Sequence, residues 1–81
     1  MAGEKTVAIL ERYRKVRETD QEVEYLFGFP EMDRHLTISK VEQAYLVADG
    51  REDYASRAVL RGIMRRFLDE KTWPGGGGVQ H

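Results

Sequence analysis

Eighty-one residues with a net charge of −1, 41% apolar and 33% charged side chains, and no cysteine describe one globular domain. This composition excludes disulfides and thiolate chemistry, and it supplies no overall field for binding nucleic acid or an anionic membrane. The chain is short enough for its core to be marginal, so extra burial through self-association or a partner is expected.

The charge is unevenly placed. Residues 1–17 hold five basic and two acidic groups, residues 18–33 hold six acidic groups and no basic one, and residues 51–66 hold five basic and two acidic. Arginine outnumbers lysine nine to four, which favours paired, directional ion contacts over diffuse positive charge. Ion pairing between the acidic middle and a basic end is the ordinary expectation. The apolar run at 7–10 is too short for a secretory signal, and nothing approaches a transmembrane length. A cytoplasmic protein with no membrane contact is expected.

In chain order, residues 4–18 predict a first helix, with Ile9, Leu10, Tyr13 and Val16 on one face. Thr19-Asp20-Gln21-Glu22 fits a capping box, in which Thr19 accepts from the Glu22 N–H and opens a short second helix to Phe27. A single helix over 4–27 is the rival reading; its apolar spacing is interrupted at Asp20. Gly28 and Pro30 end this section. Residues 30–38 are ambiguous. Met32 and Leu36, four apart, suggest a helical turn, whereas Leu36 and Ile38 alternate as a short strand over 34–38. The helical or irregular reading is preferred, because a lone strand has no partner in a helical chain.

Ser39-Lys40-Val41-Glu42 is a second capping box, predicting a helix over 41–48 that Gly50 stops in a left-handed conformation. The last helix, 53–69, carries the strongest pattern. Ala55, Val59, Leu60, Ile63, Met64, Phe67 and Leu68 form an apolar stripe, and Arg57, Arg61 and Arg65 recur every four residues as a basic ridge with Tyr54 beside it. Asp53 and Asp69 are placed to pair with the two ends of that ridge, which leaves Arg61 most available. Gly62 lies inside this helix, either tolerated or marking a close approach. Residues 75–78 are four consecutive glycines, so 74–81 is expected to be a flexible tail on a single helical domain of residues 1–73.

The chain gives no enzymatic signature. Glu31 and His35 amount to at most two metal ligands, Ser39 reads as a cap, and the glycine run follows no predicted strand. No catalytic residue, metal or cofactor is assigned. The expected architecture is all-α, a bundle of three to five helices. It packs the last helix against Tyr13, Val16, Leu26, Phe27, Val41 and Tyr45.

The expected function is a non-enzymatic protein-interaction module, a small adaptor or regulator, with a second copy of itself among the expected partners. It would bind its partner through Arg57, Arg61, Arg65 and Tyr54. The second reading is a dimeric DNA-binding transcriptional regulator. Residues 36–68 follow the layout of a ribbon-helix-helix, with Arg34, His35, Thr37 and Ser39 placed to meet DNA, and a helix-turn-helix around Gly50 is the variant. The net negative charge weighs against it.

Overall fold

The computed structural model describes residues 10–29 and 31–80. It is a two-layer α/β fold. Its strands are β1 (Leu10–Glu18), β2 (Glu22–Gly28), β3 (Arg34–Ser39), β4 (Ala44–Val47) and β5 (Gly76–Gln80), with one helix, α1 (Tyr54–Glu70), between β4 and β5. The sheet is antiparallel throughout, in the order β4-β3-β2-β1-β5. The helix therefore carries the chain from one edge of the sheet to the other, across one face.

This corrects the expected all-α bundle. In β2, Val23, Tyr25 and Phe27 alternate with Glu22 and Glu24 and are buried on the helix side. That period of two competes with the helical spacing Val23, Leu26, Phe27, and the aromatic and β-branched content decides for a strand. Leu36 and Ile38 sit side by side facing the core, as the alternative reading of 34–38 requires, and β2 and β4 are the partners that reading lacked. The helix expected over 41–48 is instead a hairpin turn and the short β4.

Both predicted capping boxes are half right for an instructive reason. Thr19 Oγ1 does accept from the Glu22 N–H, and Ser39 Oγ from the Glu42 N–H, each at 3.1 Å. A hydroxyl three residues before an N–H closes a turn as readily as it caps a helix. Here the first closes the β1–β2 hairpin, where Thr19 N–H donates to the Glu22 carbonyl and the Glu22 carboxylate goes to Arg17 instead. The second closes the β3–β4 hairpin, with Gln43 in a left-handed conformation at φ 55°. Gly50 is left-handed as expected, at φ 73°, but it follows a strand rather than a helix.

The helix predicted over 53–69 is present. Its true cap is Asp53, which accepts from the Ser56 N–H at 3.0 Å while Ser56 Oγ accepts from the Asp53 N–H at 2.9 Å. The Ser56 N–H, followed by Arg34, holds the Asp53 carboxyl down at about 2. Because the folded value lies below the unfolded one, the stabilisation is complete above pH 4 or so and drains away as pH falls towards 2. Asp53→Asn is expected to flatten this part of the acid-unfolding curve, and circular dichroism between pH 2 and pH 5 reads it.

Val59 and Ile63 are fully buried against Tyr13, Val23, Tyr25, Phe27, Leu36, Ile38 and Val47, with Leu60, Trp73 and Val79 packed at the margin. Of the expected packing partners, Tyr13 and Phe27 belong to this core. Val16 and Val41 are exposed, Tyr45 is at the rim, and Leu26 lies half-buried.

The glycine tail is also corrected, since residues 76–80 form β5 beside β1. The segment is tied down from several directions. The buried Tyr25 hydroxyl donates to the Pro74 carbonyl at 2.6 Å, and Arg66 Nη1 donates to the Gly76 carbonyl at 2.7 Å. The Lys15 N–H donates to Gly75 O at 2.8 Å, and Trp73 stacks on Phe67 at 4.2 Å.

Candidate functional site

The cations divide into those that hold the fold and those that face outward without an acid. Arg34 is the extreme of the first kind. Its side chain is 13% exposed, its guanidinium lies 4.7 Å above the Phe27 ring, and its donors reach both Asp49 oxygens, both Asp53 oxygens and the Arg51 carbonyl. All three guanidinium nitrogens donate. Lys15 and Lys40 both bind Glu18, Arg17 binds Glu22 and Glu24, Arg51 binds Asp53, and Arg66 binds Glu70.

Among the described residues, no ion pair engages Arg12, Arg14, Arg57, Arg61 or Arg65, and all five are exposed. The pairs expected from Asp53 to Arg57 and from Asp69 to Arg65 are not formed; Asp53 is taken by the cap and by Arg34.

Four of these five arginines converge on β5. Arg12 and Arg14 stand on the sheet face away from the helix, two residues apart on β1, so their stems are about 6.7 Å apart. Directly across from them are Gly78 and Gly76, which place no side chain in the way. The result is a shallow trough of about 550 Å³ with a glycine floor and Met32 on its wall. On the opposite face, Arg61 and Arg65 flank a groove of about 260 Å³ bordered by Gly62, Gly78 and Val79. Among the described residues, the β5 edge of the sheet thus has a pair of guanidinium groups without an ion pair on each side. Arg57 continues the ridge towards the helix start, where Tyr54 is 78% exposed.

The residues considered for DNA are placed differently. Arg34 points to the helix side and is saturated. His35 is exposed, but its Nδ1 lies 2.8 Å from Glu24 Oε2, and together with Arg17 it holds the Glu24 carboxyl below its ordinary range. Thr37 is half-buried and Ser39 closes the hairpin. β3 lies inside the sheet between β2 and β4, not at an edge free to form a two-chain ribbon, and β4 stands where a ribbon-helix-helix or helix-turn-helix needs its first helix.

Sequence reasoning found the helix ridge but missed Arg12 and Arg14. A helix over 4–18 leaves these two without a shared role, and the alternation Arg12-Tyr13-Arg14 is the available signal for a strand. Among the described residues no cluster of three or more His, Asp or Glu side chains could hold a metal ion, and no helix is long and apolar enough to cross a membrane.

Among the described residues, fold and site together define one helix packed on an antiparallel sheet with cationic flanks at its β5 edge. Comparison with protein-family models, with curated proteins and with solved structures finds no match for this chain.

Proposed function

We propose that this protein is a non-enzymatic interaction module that binds an acidic protein surface through Arg12, Arg14, Arg57, Arg61 and Arg65. The observation that carries the reading is the contrast between these five unpaired guanidinium groups and the remaining arginines, each of which is engaged by the chain's own carboxylates. Guanidinium suits carboxylate recognition because it is always charged and donates in pairs. A protein partner is favoured over nucleic acid by two features. The net charge is −1, and the trough beside Arg12 and Arg14 has no exposed aromatic ring on which a base could stack.

The test measures binding of polyglutamate and of duplex DNA at low and moderate salt. Polyglutamate is expected to bind better than DNA, and Arg61→Glu combined with Arg65→Glu is expected to weaken it by at least about tenfold. Unchanged polyglutamate affinity in that variant, or preference for DNA with a steep salt dependence, would overturn the proposal.

A further inference from the structure

Resting on the cationic reading of these arginines, we propose that β5 is a docking edge on which an extended acidic segment of a partner protein adds as a sixth strand.

β5 ends the sheet, and no described strand pairs with its outer side. Edge strands are normally blunted by a charged residue, a proline or a bulge. Gly76–Gln80 has no charge and no proline, and its register with β1 runs uninterrupted from Arg14–Gly76 to Leu10–Gln80. The bond from Lys15 N–H to Gly75 O fixes which backbone groups are free. In an antiparallel ladder, bonded residues alternate, so 75, 77 and 79 turn towards β1 while Gly76, Gly78 and Gln80 turn outward. Arg66 takes the Gly76 carbonyl, which leaves the Gly76 N–H and both Gly78 groups as the template. Tyr25, Lys15 and Arg66 hold this strand in place, so it is preorganised rather than ordered on binding.

The chemistry of the incoming strand follows from what flanks this edge. Its alternate side chains would project to the two faces of the sheet. On one face they would lie about 9.5 Å from β1, two strand spacings away. Arg12 and Arg14 can cross that distance to meet a glutamate only because Gly78 and Gly76 leave the floor empty. On the other face the incoming side chains would meet Arg61 and Arg65. Acidic residues on either face are therefore matched. A second copy of this edge is disfavoured, because pairing β5 with itself would bring like-charged arginines together.

The experiment compares two labelled peptides of equal charge and about ten residues at low salt, one alternating Glu and Thr, the other the same sequence with every backbone nitrogen methylated so that it cannot donate to a ladder. The Glu–Thr peptide is expected to bind at least about tenfold tighter, to slow exchange of the Gly78 amide by NMR, and to lose about tenfold in affinity either in Arg12→Ala/Arg14→Ala or in Arg61→Ala/Arg65→Ala, according to the face that its glutamates take. Equal binding of the two peptides or an unprotected Gly78 amide would overturn strand addition while leaving the cationic surface standing, and no loss in either variant would overturn both. Binding of neither peptide would overturn both. Tighter binding of a thymidylate oligonucleotide of similar length would replace the acidic peptide with a nucleic-acid strand.

Discussion

Arg34→Ala is expected to destabilise the domain by about 2–3 kcal/mol, lowering the thermal midpoint by roughly 10–20 °C. The size follows from what one side chain joins. From the start of β3 it binds Asp49 after β4, the Arg51 carbonyl in the following loop and the helix cap Asp53, while covering the Phe27 ring. Truncation leaves two neighbouring carboxylates without their shared counter-ion and opens the joint that sets the helix on the sheet. Lysine keeps the charge but offers three donors from one point, so Arg34→Lys is expected to recover only part of the loss. Arg51→Ala is the control. Its side chain is 69% exposed and its contact with Asp53 is 3.4 Å, so the change should stay within about 0.5 kcal/mol. A midpoint shift for Arg34→Ala no larger than that control would show the joint to be held by apolar packing alone.

The same joint shows where sequence reading loses its grip. The helix at 54–70 was legible because a 17-residue segment repeats its apolar spacing through several turns, and few other structures satisfy that pattern. The strands were not, because each is nine residues or fewer, and over that length a period of two and a period of 3.6 share many positions. Val23, Phe27 and Tyr13 are inward in both readings; Tyr25, fully buried and central, and Leu26, left half-buried outside the core, separate them. Thr19 and Ser39 then reinforced the wrong choice, since their hydrogen bonds are the ones expected, used in hairpins.

β5 was invisible for a different reason. Its three glycines carry no β propensity, and their place in the sheet is imposed by tertiary contacts of residues 74–76 with Tyr25, Arg66 and Lys15. Arg57, Arg61 and Arg65 are exposed on α1, where their helical spacing places them, whereas Arg12 and Arg14 become their counterpart only through the pairing of β1 with β5.

That pairing also gives Gly62 its role, and with it an expected reversal of sign. A glycine inside a helix ordinarily costs about 1 kcal/mol relative to alanine, so Gly62→Ala should stabilise an isolated helix. In this fold a Cβ at position 62 would fall inside van der Waals contact of Val79 Cγ1, on the face where β5 meets the helix. Valine is stiff about χ1 and cannot swing clear without moving its strand. Gly62→Ala is therefore expected to destabilise the protein by about 1 kcal/mol, and Gly62→Leu by about 2–4 kcal/mol with loss of β5 from the sheet edge. Once Val79 is cut back to alanine the obstruction is gone, so adding Gly62→Ala to Val79→Ala should stabilise by up to about 1 kcal/mol. Urea denaturation of the four proteins in this cycle measures the coupling. Its sign carries the claim: additive effects would mean that helix and strand do not touch at this point. The template on which strand addition depends would then lose one of its anchors, because the same close approach brings Arg61 and Arg65 alongside the free edge.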